Sequence, residues 1–492
     1  MFAPDLPHTV YCIECWHGDG WDAKACGREI DWERPFFDQF AELVTTVPLL
    51  GIIVTRSENC DYCNMVMGAK NCYLSTRIAD VSELYYCHLG LERSHQCVDC
   101  NTIKQTERSY ETMDSERCYQ CIGASSSVGC TDCIFVDDCR DCQDCVCCAG
   151  ISHKQYYLFN KPSTKEEIEK YKKKIRSYGG YQEVLEEYKK FLPTVPKRAT
   201  FLINSDQCTG DYIFDSGNCK RCFNVVGTRD SVDVKDCEFL ENTAHVDMGI
   251  NSQWCYNTIG FGDANSIMCS WTTIYSSFLT YCISCFTSQD CFGCVGMKKG
   301  QYAILNKEYS KEENSALRSR IIEGLRGEGQ WGKFLPAYVS PFAYNETIAQ
   351  DFYPFTKEEA DARGFRWRDE LPGSYGKETI AASDLPDTID EVTELILREV
   401  LACTCDSCGG HRAVCGRNYK IIKQELGLYQ SLGIPLPRRC PLCRHRARVN
   451  RRNPQILYNR TCFQCGKNVE TTYAPDRPEL VYCEQCYQKE IV

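Results

Sequence analysis

Paired cysteines that recur at a fixed interval constrain this chain more than any other feature. The stretch SHQCVDC (residues 94–100) returns as SERCYQC (115–121) and again as DDCRDC, ending at Cys142. Cys97, Cys118 and Cys139 are 21 residues apart, as are Cys100, Cys121 and Cys142. SENCDYC (57–63) has the same form, and SGNCKRC (216–222) and SQWC (252–255) echo it. Short β-prone runs such as CIFV and DYIF lie near the pairs. A short period with small residues in register is the signature of a parallel β-solenoid, whose coils stack on one another. The interval predicts one coil per 21 residues, with cysteines stacked at one corner.

A longer repeat divides the chain. QDCVCCAGISHKQYYLFNKPSTKEE (143–167) matches QDCFGCVGMKKGQYAILNKEYSKEE (289–313) without a gap, at an offset of 146 residues. Residues 57–160 and 199–307 are therefore read as two solenoid blocks, each closed by a helical cap that covers an otherwise open strand edge. Thr164 with Glu167, and Ser310 with Glu313, fit the capping box that starts a helix. The first cap is expected to run through KEEIEKYKKKIRSYGGYQEVLEEYKKFL with a break at Gly179-Gly180, and the second through KEENSALRSRIIEGL. LPDTIDEVTELILREVL (385–401) reads as an amphipathic helix. The expected class is β-rich α+β, in seven segments. They are a half zinc-ribbon knuckle (1–30), a helical lead-in (31–56), two capped solenoids (57–198 and 199–325), an acidic connector (326–400) and two zinc ribbons (401–457 and 458–492).

The chain has 38 cysteines in 492 residues. No stretch has the layout of a secretory signal, and the longest apolar candidate, VTTVPLLGIIVT (44–55), is too short to span a membrane and contains Pro48. The cysteines are therefore expected to be reduced thiols or metal ligands in a cytoplasmic protein. Twenty-five of them lie between residues 60 and 294. Pairs on every coil exceed what tetrahedral sites need, and reduced cysteine buries readily, so these are read as core. A row of metal or iron–sulfur sites is the competing reading.

The clearest chemistry is C-terminal. Cys462 and Cys465, with Cys483 and Cys486, form two C-x₂-C knuckles that can surround one tetrahedral Zn²⁺. Gly466 suits the left-handed turn after the first knuckle. A second site is expected from Cys408, Cys415, Cys440 and Cys443, with Cys405 as the alternate and His411 as a poorer candidate. About two zinc ions per chain follow. The knuckle APDRPELVYCEQCY (474–487) has a near copy at the other end, APDLPHTVYCIECW (3–16), which supplies only Cys12 and Cys15. This half-knuckle suggests that Met1 lies inside a longer ribbon. Alternatively Cys12 and Cys15 borrow Cys26 or His17, or bind nothing.

The stretch CGRNYKIIKQEL…YQSLGIPLPRRCPLCRHR resembles zinc-ribbon domains, although Arg412 stands where the leading cysteine of a first knuckle would be. With NKEYSKEE and YAPDRPELVYCEQCY, most of the chain resembles large Cys-rich proteins of uncultured, small-genome bacteria. The resemblance implies zinc ribbons and implies no activity.

The net charge is −11, but it is unevenly spread. Residues 351–400 carry 13 acids against 6 bases, while 436–461 carry eight arginines and no acid. Arg438, Arg439, Arg444, Arg446, Arg448, Arg451, Arg452 and Arg460, with Tyr458 among them, would give a zinc module a phosphate-contacting face. The competing reading is a basic face that pairs with the acidic segment. The expected function is a zinc-binding scaffold that contacts nucleic acid or a nucleoprotein. A protein-interaction scaffold and a thiol-rich metal or redox protein are the alternatives. No GxSxG, HExxH, P-loop or GxGxxG motif appears in a matching context, which favours a non-enzyme. Oligomeric state is not legible.

Overall fold

Between Arg56 and Tyr86 every third residue has a positive φ, and the same holds from Phe278 to Leu305. Most of these residues are not glycine, and each left-handed residue costs roughly 1–2 kcal/mol. Hydrogen bonds between successive turns offset that cost. Asn64 N–H donates to the Ser75 carbonyl at 3.2 Å and Thr76 N–H to Cys87 at 3.0 Å, a pattern repeated along both blocks. The computed structural model describes residues 2, 5–91, 94–104, 107–110, 113–116, 122–125, 127–238, 264–271, 273, 275–369, 371, 374, 376–405, 415 and 418–491.

Strands of four or five residues pair in parallel with the strand one turn further on. Asn64 pairs with Thr76 and Thr76 with His88; Ile122 pairs with Ile134 and Ile134 with Val146. In the second block Gly210 pairs with Cys222, and Met268, Thr280, Phe292 and Ile304 follow one another in bridges. Among the described residues the chain therefore returns beside itself every 12 residues, except for a step of 13 where Ser82 pairs with His95 and His88 with Asn101, and one of 11 where Leu202 pairs with Ile213. This corrects the 21-residue coil. Twenty-one is a multiple of three but not of twelve, so the recurring cysteines share an inward phase without stacking on one another. Cys118 and Cys121 lie outside the described residues.

The three-residue phase explains the C-x₂-C pairs of the ladders. Every third side chain points inward: Cys63, Val66, Ala69, Cys72, Ser75, Ile78, Val81, Leu84 and Cys87 are all buried, as are Ser127, Cys130, Cys133, Val136, Cys139, Cys142, Cys145 and Cys148. Two neighbouring inward cysteines read as a metal knuckle in sequence. In space they do what serine does at the same phase. Ser75 Oγ lies 3.1 Å from both the Tyr73 and the Leu84 carbonyl oxygens and accepts from Cys87 N–H at 3.1 Å. Cys133 Sγ lies 3.3 Å from the Thr131 carbonyl and 3.5 Å from that of Cys142. Cys133→Ser is thus expected to leave metal content unchanged and to lower stability by no more than about 2 kcal/mol, since the hydrogen bonds survive and only modest apolar area is lost. Urea unfolding with elemental analysis checks this, and a lost metal ion would contradict it.

Two helices pack on the ladders. The helix Phe36–Thr46 precedes the first ladder but packs on the second, with Phe37 5.0 Å from Tyr281 and Phe36 5.3 Å from Phe292. The helix Tyr178–Phe191 precedes the second ladder but packs on the first, with Phe135 5.5 Å from Tyr181 and 5.7 Å from Tyr188. Phe135 and Tyr281 are equivalent at the repeat offset of 146. Gly293 has φ +59°, and a Cβ there would come 2.5 Å from the Phe36 ring, so both backbone and packing require glycine. The first ladder thus buries Phe135 under part of its expected cap, whereas the second buries Tyr281 and Phe292 under the helix that leads into the first.

Both caps form. Ser310 and Glu313 make the full capping box of Lys311–Gly327. Thr164 Oγ1 accepts from Glu167 N–H at 3.2 Å, and the Glu167 carboxylate also accepts from the Ser163 hydroxyl at 2.5 Å. The expected break at Gly179-Gly180 falls earlier. The helix Lys165–Lys174 ends, Ser177 caps a new one, and both glycines sit in its first turn. A Cβ on Gly180 would lie 2.1 Å from the Lys174 carbonyl, so glycine permits the close turn. The 385–401 stretch is not an amphipathic α-helix. It forms short 3₁₀ turns, Ile389–Glu391 and Glu394–Arg398, with Ile389, Val392 and Ile396 buried. Thr388, Ile389, Val392 and Thr393 are β-branched and favour this over a continuous helix. No described helix is long and apolar enough to cross a membrane.

Candidate metal centres

Among the described residues, two groups of metal-ligating side chains have their ligand atoms within 4.8 Å of one another, and both are C-terminal. The first comprises Cys462, Cys465, Cys483 and Cys486. An antiparallel hairpin, Tyr458–Thr461 with Asn468–Thr471, presents Cys462 and Cys465 in its loop. Gly466, at φ +71°, donates its N–H to the Cys462 carbonyl at 2.9 Å and closes the tight turn. Cys483 follows the strand Val481–Tyr482, and Cys486 lies in the helix Glu484–Ile491. Cys465 and Cys483 sulfurs are 3.8 Å apart. Four thiolates about 2.3 Å from one zinc ion stand at ~3.8 Å edges, so the cage fits the ion.

The second group comprises Cys403, Cys415, Cys440 and Cys443. The strand pair Leu401–Ala402 and Asn418–Tyr419 brings Cys403 close to Cys415. Cys440 precedes the helix Pro441–Val449, and Cys443 lies in its first turn. The Cys440 backbone N–H donates to Cys403 Sγ at 3.2 Å, and the Cys415 and Cys440 sulfurs are 4.0 Å apart. Thr404 locks the arrangement through two hydrogen bonds to the Arg438 carbonyl, each 2.9 Å. Cys403, passed over in the sequence reading, occupies the fourth corner. Cys405, the expected alternate, stands outside the group. Cys408 and His411 lie outside the described residues. A run written CTCDSC offers three cysteines for one ligand position, and in the described group Cys403 takes it.

Thiols this crowded resist joint ionisation. Hydrogen bonding with the Cys440 thiol pushes the Cys403 thiol up to about 12, and contacts with Cys403 and Cys440 push Cys443 up as well. At Cys462 burial raises the pKa, but hydrogen bonds from the backbone of Cys483, Cys465 and Gln464 outweigh it and hold the thiol down to about 6. A divalent ion among the four sulfurs reverses the balance, since its charge stabilises every thiolate at once.

Each centre sits where a C-terminal element meets a ladder. In the first, Val481–Tyr482 pairs in parallel with Lys197–Arg198, and Thr472 Oγ1 donates to Asp211 at 2.7 Å. In the second, the helix that begins at Cys440 carries Arg444 and Arg448 into the first ladder. Arg444 Nε lies 2.7 Å from Asp99 and Nη2 3.4 Å from Glu425, while Arg448 Nη1 lies 3.1 Å from Asp99. All four side chains are buried. Tyr86 and Tyr429 hydroxyls donate to Glu425 at 3.0 and 2.8 Å.

These contacts correct the arginine face expected from sequence. Arg444 and Arg448 are internal ion-pair partners with no phosphate-contacting surface. Arg438 stacks 4.1 Å over the Tyr178 ring, and Arg460 donates to the Ala474 and Glu479 carbonyls at 3.4 and 3.1 Å. Arg439 and Arg451 are exposed, while Arg446, Arg452 and Tyr458 are half-buried. Part of the basic run also meets the acidic segment: His445 lies 2.8 Å from Asp351, and Arg438 3.9 Å from Asp387. Cys12 and Cys15 are exposed and belong to neither group. No protein-family model matches the chain, and no curated protein matches it.

Proposed function

We propose that this chain is a zinc-dependent scaffold. Its two ladders are parallel β-solenoids with 12-residue coils, and two C-terminal zinc ribbons clamp them. The observation that carries the reading is the placement of both tetrathiolate groups at junctions between the C-terminal elements and the ladders. Zinc is favoured over other divalent ions because it takes four sulfurs tetrahedrally and has no redox chemistry of its own. The described ladder cysteines are free thiols, which suits a reducing compartment such as the cytoplasm. The long ladder faces would serve protein partners. Zinc released under chelator and counted against protein tests the reading, with one ion expected from each group.

A second reading, nucleic-acid contact, rests on one specific feature. Arg439 and Arg451 line a cleft of about 220 Å³ together with Arg438, Lys189, Tyr178 and Tyr181. This places cations beside the half-buried Tyr178 ring, over which Arg438 stacks. With about three phosphates engaged, log K against log salt should fall with a slope of about −3 for a duplex, and Arg439→Ala and Arg451→Ala should each reduce the slope by about one. Salt-independent or absent binding would remove this reading and leave the protein-scaffold one.

A further inference from the structure

The N-terminal copy of the second knuckle is built into the fold as its C-terminal counterpart is. Val10–Tyr11 pairs in parallel with Leu49–Leu50, as Val481–Tyr482 does with Lys197–Arg198. Both partner strands follow a Thr-Val-Pro triplet, 46–48 and 194–196. The hydrogen bonds correspond one by one. Leu49 N–H donates to the Thr9 carbonyl at 2.8 Å and Gly51 to Tyr11 at 2.9 Å; Lys197 donates to Leu480 at 2.8 Å and Ala199 to Tyr482 at 2.9 Å. Trp16 N–H donates to Cys12 and Tyr487 N–H to Cys483, both at 2.9 Å. The aromatic after each pair is buried, and each reaches the ladder that its strand does not lead into: Trp16 is 5.0 Å from Phe286, and Tyr487 bonds Asp138.

The chemistry differs at one point. Cys483 and Cys486 meet Cys462 and Cys465, whereas Cys12 and Cys15 meet no third ligand among the described residues, and both are exposed. Neither Cys26 nor His17 completes a group with them. The Cys15 N–H donates to Cys12 Sγ at 3.5 Å, holding the pair on one side of the turn.

We infer that Cys12 and Cys15 form half of a tetrathiolate site for a thiophilic divalent ion, closed by the same pair of a second copy. A tetrahedron of four sulfurs has two-fold axes that exchange its ligands in pairs. Two identical C-x₂-C turns therefore close one site under the commonest symmetry of homo-oligomers. The inference rests on reading the two complete tetrathiolate groups as zinc sites.

The test uses the full chain, purified reduced and without oxygen, with zinc as the probe. Zinc per chain and mass in solution are measured for the wild type and for Cys12→Ser/Cys15→Ser. Serine at both exposed positions keeps the one local hydrogen bond, so the variant should fold. The wild type should be a dimer holding half a zinc ion per chain more than the variant. The variant should be monomeric, and a chelator should return the wild type to monomer. Equal zinc and equal mass in the two proteins would overturn the inference, as would a dimer that survives the substitutions. A wild-type monomer with one extra zinc would also overturn it, because the site would then close within one chain. Failure of the underlying reading looks different: the variant itself would then hold no zinc.

Discussion

Asp99→Asn should destabilise the chain by about 3–5 kcal/mol, although Asp99 belongs to neither tetrathiolate group and is fully buried. Asp99 is fully buried, and it faces two guanidinium groups from the helix that begins at Cys440. The substitution keeps volume and removes charge: Arg444 loses its 2.7 Å carboxylate contact and keeps the 3.4 Å one to Glu425, and Arg448 loses its contact to the Asp99 carboxylate. An uncompensated buried charge is the expensive case, whereas replacing a whole network with apolar groups of similar volume is often neutral. Denaturant unfolding followed by circular dichroism gives the magnitude. Limited proteolysis should show cleavage beyond residue 400 before the ladders open. A change below about 1 kcal/mol would mean that solvent reaches this network and that Arg444 and Arg448 belong to the surface after all.

Removing metal should have the largest effect. Structural zinc contributes on the order of 10 kcal/mol to small ribbon folds, because the ligand cage does not exist in the unfolded chain. Cys440→Ser/Cys443→Ser should do more than empty one site. It loosens the first turn of the helix that carries Arg444 and Arg448, so the pairing with Asp99 should fail with it. Cys462→Ser/Cys465→Ser should instead release the hairpin and free Val481–Tyr482 from Lys197–Arg198. Each pair should therefore expose a different part of residues 401–491 to protease, while ladder circular dichroism is largely kept. Equal and complete unfolding of the whole chain by either pair would contradict this division.

The first of these effects was invisible in the sequence. Nothing near Asp99, in SHQCVDCNT, marks it as the partner of arginines at the far end of the chain, so eight closely spaced arginines read as a solvent-facing patch. Cys462, Cys465, Cys483 and Cys486 were legible because their ligands come in two local pairs. Cys403 was not, because its partners Cys415, Cys440 and Cys443 are 12 to 40 residues away and nothing local distinguishes it from Cys405. The ungapped match set out two similar stretches, but the packing of the Phe36 helix on the second ladder was not legible, since adjacency in sequence gives no reason for Phe36 to leave its own ladder. The coil length was misread for a physical reason. Left-handed Asn and Asp at the ladder turns alternate with left-handed Arg, Tyr, Phe and Cys, which interrupt the usual turn signature, so cysteine spacing dominated the reading. That spacing reports the three-residue inward phase and is blind to where the coil closes.

Whether the C-terminal tetrathiolates hold zinc and the ladder thiols hold none is decided by elemental analysis of protein purified without oxygen. The wild type is compared with Cys440→Ser/Cys443→Ser, Cys462→Ser/Cys465→Ser and the ladder variant Cys133→Ser/Cys142→Ser. The expected result is a loss of one zinc ion per chain for each of the first two, no loss for the third, and no iron in any. Iron, or metal lost from the ladder variant and retained when the C-terminal pairs are removed, would contradict it.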